Sequence, residues 1–318
     1  VTPHLVSIIL PVYNRPSLLR EAVDQCIAQS YRPIEIIIID DGSTDGTGQM
    51  ADKLKSRHKE VRHSLHQDNL GPGAAREAGR GRASGEFLQY FDSDDRIDSD
   101  KIAIQVAALR SQPSAGVAYC RTREYHRGRE SEWTCSQQTG ELLNKLFPRL
   151  LSGCCWPTIT PLIRRSVSDT VGAWTSLRQE EDWEYDSRIA AQGVELVACE
   201  QYLADSVLHT QARASDNASK DPRLLRDRAK ARLLILDRAV AAGIPKSQPD
   251  MENFAAGTFL LARQCGLAGL EESSRLLTKA AASVATKGRL LKIIVFQISA
   301  ATLGYRKMSR IATRQHPA

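Results

Sequence analysis

Val6-Ser-Ile-Ile-Leu-Pro-Val12 is a short, almost unbroken apolar run, the pattern of a buried strand. Tyr13-Asn14-Arg15-Pro16 interrupts it, after which Leu18, Leu19, Ala22, Val23, Cys26 and Ile27 recur at helical spacing. Residues 35–40 read Glu-Ile-Ile-Ile-Ile-Asp. That segment is too uniformly apolar for a half-exposed strand, which argues for a parallel sheet covered on both faces. Asp41-Gly42-Ser43-Thr44-Asp45 turns the chain, and residues 47–55 can form a helix. Residues 61–66 make a weaker strand, and 71–84 are small and helix-compatible after a Gly-Pro-Gly opening. Residues 87–91 form a fourth strand that runs into Asp92-Ser93-Asp94-Asp95. The alternation predicts an α/β fold with a right-handed, doubly wound, mostly parallel sheet.

The pattern is less regular further on. Residues 101–109 read as helix, 116–120 as strand, 121–140 as polar and irregular, and 141–151 as helix. Glu180-Glu181-Asp182 opens a helix running to about Ala191, with acids at its positive end. Residues 194–199 fit a last strand. From Asp221 the texture changes to Ala, Leu and Arg, and a domain boundary is expected near 220. Asp221-Pro222 is an N-cap followed by proline at the first helical position. Leu225, Ala229, Leu233, Leu236 and Val240 make one face of that helix. Asp250 is expected to cap a second, with Phe254, Thr258, Leu261 and Cys265 in register, and helical stretches are expected at about 270–285 and 289–312.

The 318 residues are 42% hydrophobic, enough chain to bury a core without disulfide or metal staples. No stretch reaches the roughly 18 uncharged apolar residues of a membrane span. The N-terminus lacks the basic segment and long apolar core of a secretory signal, so none is expected. The cysteines are Cys26, Cys120, Cys135, Cys154, Cys155, Cys199 and Cys265. Their number is odd and no C-x-x-C occurs, so they read as free thiols in a reducing compartment, the cytoplasm. Charge is uneven: residues 273–318 hold nine Lys and Arg and no acid, which leaves the first 272 residues at −3 of the overall +6. The basic character belongs to the tail, so the main body is not read as a nucleic-acid binder.

Three polar clusters each follow a predicted strand: Tyr13-Asn14, Asp40-Asp41, and residues 92–95. In an open α/β sheet that edge is where ligands bind. Singly, Asp-Gly after a strand is ordinarily a turn, and Asn14 before Arg-Pro is ordinarily a helix entry. Three clusters at one edge point to a site. In Asp92-Ser93-Asp94 two carboxylates stand two residues apart and face the same way in an extended segment. A hard divalent cation typically shares such carboxylates with substrate phosphates.

The runs VSIILPVYNRP, EIIIIDDGSTDGT, NLGPGAAREAG and GEFLQYFDSDD, in that order, resemble the N-terminal half of family-2 glycosyltransferases with the GT-A fold, and GAWTSLRQEEDWEYDSRIAAQG resembles that family's acceptor-side segment. The resemblance spans roughly residues 5–195 and implies a nucleotide-binding half over about 1–100 and an acceptor half over about 101–220; the helical region over 221–318 lies outside it. The resemblance also implies a nucleotide-diphosphate sugar donor, UDP- or dTDP-linked. By carry-over Pro11, Val12, Tyr13 and Asn14 line the nucleotide pocket, and one of Asp40 and Asp41 contacts the base. Arg76 faces the nucleotide side, and Glu77 stands where the family usually has Asn. Asp92 and Ser93 face the donor, Asp92 and Asp94 face an Mg²⁺ or Mn²⁺ ion, and Asp95 supports the loop. Asp182 matches the catalytic base, with Glu181 beside it. Such a carboxylate takes the acceptor hydroxyl's proton during attack on the anomeric carbon, and one displacement inverts that carbon. Trp156 and Trp183 are either sugar platforms or core aromatics. His209 is either a structural histidine or a residue near phosphates and metal, with Arg213 competing for that role.

No Q-x-x-R-W segment occurs. In the resembling family that segment accompanies processive polymerases, so transfer of a single sugar is expected, to a hydroxyl of a glycan or lipid-linked acceptor in cell-surface polysaccharide synthesis. A nucleotidyltransferase would carry a Gly-rich, basic loop after the first strand, where this chain has Tyr13-Asn14-Arg15-Pro16. A non-catalytic nucleotide-sugar-binding scaffold would have no need of both Asp94 and Asp182. In the tail, Leu290, Leu291, Ile293, Ile294, Val295, Phe296, Ile298 and Leu303 crowd together between basic flanks. That pattern fits either a helix lying on an anionic cytoplasmic leaflet or a packed terminal helix with a basic face.

Overall fold

The computed structural model describes residues 1–208 and 219–315. Contacts divide them into two units. The first comprises Val1–Leu146, Cys154–Ser176 and the segment from Gln192 through the last strand. The second comprises Phe147–Gly153, Leu177–Ala191 and the C-terminal helices.

The first unit is built on a sheet of β1 (Thr2–Val12), β2 (Ile34–Asp40), β3 (Val61–His66), β4 (Gly85–Tyr90), β5 (Arg96–Ile97), β6 (Ala115–His126), β7 (Thr134–Cys135), β8 (Leu162–Arg164) and β9 (Glu195–Leu208). The order is β3-β2-β1-β4-β8-β6-β9-β5, with β7 paired to β6. β1, β2, β3 and β4 are mutually parallel, in the register Val12↔Asp40 and Ile9↔Tyr90. β8 runs antiparallel to both neighbours. All seven residues of β2 are buried, as expected for a strand covered on both faces. Helices α1 (Pro16–Ile27), α2 (Thr47–Arg57), α3 (Pro72–Arg82), α4 (Lys101–Ser111) and α5 (Arg165–Val171) complete the unit. Leu19, Ala22, Val23 and Cys26, the predicted inner stripe of α1, are all buried.

A polar network around a lysine lies inside this core. Lys101 on α4 is fully buried. Its Nζ donates to Gln89 Oε1 and, at 2.6 Å, to Gln105 Oε1. Those amides in turn donate to the carbonyls of Ile159 and Thr160. Desolvation pushes the Lys101 amine down to about 8.

The second unit holds α6 (Glu181–Ala191), α7 (Pro222–Ala241), α8 (Pro249–Leu267), α9 (Glu271–Val284), α10 (Lys287–Leu303) and α11 (Tyr305–Gln315). Asp221 caps α7 by accepting from Arg223 N at 2.8 Å. Leu225, Leu261, Cys265 and Leu277 form the core of α7, α8 and α9.

The sequence reading is altered in four places. The helix expected over 141–151 is absent: Pro148, which has no N–H to donate, sits in the middle, and only a 3₁₀ turn forms at Arg149–Ser152. The stretch 289–312 is two helices, broken at Gly304 with φ +83°. β6 and β9 extend well past 116–120 and 194–199. The outer half of β6 is largely polar and that of β9 mixes polar with buried apolar residues, and the two pair across the ladder, Arg123 Nε donating to Asp205 at 2.6 Å, so no continuous apolar run marks them. The linear boundary near 220 differs from the contact partition, which groups α6 with the later helices. Buried Glu184 on α6 is bound by Arg238 of α7 at 2.7 Å.

Candidate active site

Parallel pairing brings the C-terminal ends of β1, β2 and β4 side by side, and with them the three polar clusters. The loops are laced together. Asn14, at φ +51°, donates its N–H to Ser43 Oγ at 2.8 Å and accepts from Thr44 N at 2.8 Å. Arg15 N donates to Thr47 Oγ1 at 2.9 Å. Pro11 and Val12 are buried in the strand end, while Tyr13 is 46% exposed and offers its ring to solvent.

Asp40 and Asp41 are both buried and do different local work. Asp40 Oδ1 accepts from Ser43 N at 3.0 Å and so closes the turn. Asp41 Oδ1 accepts from Gln67 Nε2 at 2.6 Å and Leu70 N at 2.9 Å, and its Oδ2 accepts from Gly71 N at 2.9 Å. Asp41 therefore fixes the loop that leads into α3.

α3 then delivers Arg76 to the acidic cluster. The Arg76 guanidinium donates to both oxygens of Asp92 at 3.0 Å and lies 5.1 Å from the ring centre of Trp174. Trp174 packs edge-on against Tyr90. Glu77 accepts from Arg80 at 2.8 Å and from Trp174 N at 3.0 Å, so it anchors the tryptophan loop. Asp94 Oδ2 is bound by Arg15 at 2.6 Å. Ser93 is buried. Asp95 Oδ1 accepts from Val207 N at 3.1 Å.

Arg15 and Trp174 are contributors that the sequence reading did not single out. The charge of Arg15 in a strand-exit loop was the available signal. Trp174 carried none, because its partner Arg76 is 98 residues away in the chain.

Two carboxylates, each against a guanidinium, are the donor set at this edge. Among the described residues no three His, Cys, Asp or Glu side chains come together as a self-contained metal cage. An ion shared with a substrate diphosphate needs only one or two protein carboxylates, and Asp92 and Asp94 are the residues here that could provide them.

Asp182 lies in the second unit, half-buried in the first turn of α6, and its Oδ1 accepts from Trp183 N at 2.7 Å. The residue two before it is held firmly. Glu180 has φ +57° and is bound by Arg228 at 3.0 Å and Arg232 at 2.8 Å. Arg232 also lies 4.0 Å from the Trp183 ring centre. Trp183 is buried, donating Nε1–H to Leu150 O at 2.9 Å, and Trp156 is buried against Tyr119. Both tryptophans are core aromatics. His209 and Arg213 lie outside the described residues.

The sequence profile described as glycosyl transferase family 2 matches residues 7–171, more than half of the chain. The chain belongs to glycosyl transferase family 2. An uncharacterized glycosyltransferase of Haemophilus influenzae is 41% identical over 102 residues, 32% of this chain and 41% of that protein. The chain thus spans less than half the length of that relative. S. aureus TarS 1-349 in complex with UDP is similar at a TM-score of 0.72 and 16% identity, over 98% of this chain and 92% of that one. The mannosyltransferase PcManGT of Pyrobaculum calidifontis, in complex with GDP-Man and Mn²⁺, is similar at 0.54 and 17% identity, over 98% and 88%. These likenesses bear out the fold: a GT-A sheet followed by a helical C-terminal region.

Proposed function

We propose that the protein transfers a single sugar from a nucleoside diphosphate sugar, UDP- or dTDP-linked, to a hydroxyl of a glycan or lipid-linked acceptor, with inversion at the anomeric carbon. The observation that carries this is the meeting of the β1, β2 and β4 exits around Asp92 and Asp94. A family relationship and a TarS-like fold support it, and the UDP in that TarS structure favours a uridine donor. The setting is the synthesis of cell-surface polysaccharide at the cytoplasmic face of the membrane.

In this reading Tyr13 stacks on the base, with Asn14, Pro11 and Val12 shaping the pocket floor. Asp40 faces the base while Asp41 holds the adjacent loop. Arg76 keeps Asp92 oriented toward ribose or ion, and Ser93 packs behind it. Asp92 and Asp94 would hold Mg²⁺ or Mn²⁺, which when bound neutralises charge on the departing diphosphate. Asp182 takes the proton of the attacking hydroxyl.

A thermal-shift panel of nucleotide sugars tests the donor, because a ligand raises the melting temperature by mass action. A uridine or thymidine diphosphate sugar with Mn²⁺ should give the largest shift. Asp94→Ala should lose that shift with its fold intact. Asp182→Asn should keep the shift and lose turnover by roughly two to four orders of magnitude in kcat. A panel with no response to any such donor would sink the reading.

A further inference from the structure

Helix α10 is apolar on two sides. Ile293, Phe296 and Ala300 are buried within the helical unit, Phe296 packing edge-on against Phe259 of α8 at 5.2 Å. Leu291, Ile294, Val295 and Ile298 are spaced to form a second stripe on the opposite side. They are 66%, 39%, 54% and 64% exposed. Scattered surface leucines are ordinary, but four aliphatic side chains aligned on one helix face form a patch that marks an interaction surface.

The surroundings indicate what the patch meets. Lys287 and Lys292 on the same helix are exposed, as are Arg306, Lys307 and Arg310 on α11. No acidic residue occurs after Glu272. A protein partner would have to supply both an apolar groove and a dense acidic surround. A bilayer of anionic lipid supplies both at once: acyl chains for the stripe and headgroup phosphates for the Lys and Arg. Among the described residues no helix is long and apolar enough to cross a membrane, so the helix would lie in the interface.

We infer that α10 docks on an anionic lipid surface, inserting Leu291, Ile294, Val295 and Ile298 while the basic side chains of α10 and α11 bind headgroup phosphates. This docking is independent of the donor cluster in the first unit.

Co-sedimentation of the full chain with phosphatidylcholine vesicles, with and without phosphatidylglycerol, tests it. The protein should pellet with the anionic vesicles only, and added salt should release it. Ile294→Gln with Ile298→Gln should weaken binding by at least roughly tenfold, through loss of apolar insertion. Lys292→Gln, Arg306→Gln and Lys307→Gln should each weaken it by roughly fivefold. These exposed substitutions should leave the melting temperature and the thermal shift with a nucleotide sugar unchanged. A lost donor response would therefore indict the site and not the docking. Equal pelleting with neutral vesicles, no pelleting at all, or unimpaired binding by the isoleucine double variant would overturn the inference. So would a dimer in light scattering that the same double variant dissolves, since the stripe would then join copies of this chain.

Discussion

Asp94 and Arg15 are 25% or less exposed as side chains and 2.6 Å apart, so a divalent ion that needs Asp94 must compete with a resident guanidinium. Arg15→Gln should then tighten Mn²⁺ binding in the absence of donor, by up to roughly fivefold, the worth of a partly exposed ion pair. Electron paramagnetic resonance of free Mn²⁺ would read this, and an unchanged or weaker affinity would remove Arg15 from the site. The carboxylates themselves were legible in the sequence, because acids two apart at a strand exit have few structural uses. Their counter-ions were not. Arg76 was expected to face the nucleotide, and its bidentate hold on Asp92 depends on how α3 lands on the sheet. Nor did the sequence separate Asp40 from Asp41. The difference is made by Gln67, Leu70 and Gly71, whose N–H groups converge on Asp41 only after the loop closes.

At the scale of elements, α3 can carry Arg76 to its place because the helix sits very close to β1. A Cβ added at Gly79 would fall 2.4 Å from Ile9 Cγ2, inside van der Waals contact. Gly79→Ala should therefore cost roughly 1–3 kcal/mol by overpacking, measured by denaturant unfolding, although alanine is the better helix former. A neutral or stabilising result would mean that the helix shifts freely on the sheet. Strands β1, β2 and β4 were readable because burial on both faces imposes a continuous apolar run. β8 is three residues long and ends at Arg164, too short for any period to register. Its identity comes from being wedged antiparallel between β4 and β6. Helix α6 was readable from its acidic start, yet the left-handed Glu180 just before it was not, since the two arginines that grip its carboxylate come from α7, about 50 residues further on.

For the whole molecule, the buried Lys101 sets a pH dependence of stability. Its amine titrates near 8 when folded, against 10.5 as the reference value. Below pH 8 both states carry the proton and the desolvation penalty is constant. Between 8 and 10.5 the unfolded chain binds more protons, so stability rises with pH. Cys26, Cys120, Cys199 and Cys265 act in the opposite sense: burial pushes their thiols up from 9.0, so as pH climbs to 9 and beyond the unfolded chain loses protons that the folded one keeps. The thiols are common to wild type and Lys101→Met, so the difference between the two isolates the lysine. From pH 8 to pH 9 wild type should gain up to about 1 kcal/mol relative to Lys101→Met in urea unfolding. An unchanged difference between the two proteins would assign the effect elsewhere. The burial of Lys101 was hidden in the sequence because Gln89, one of the two amides that accept its hydrogen bonds, lies on β4, a separate element. The two ion pairs, Arg15 with Asp94 and Arg76 with Asp92, have a consequence for capture from dilute solution. Opposite charges are already matched there, so an incoming diphosphate and ion trade partners instead of discharging an open electrostatic trap. Donor affinity followed by calorimetry should consequently stay nearly flat as ionic strength climbs, where a bare cationic pocket would shed affinity steeply.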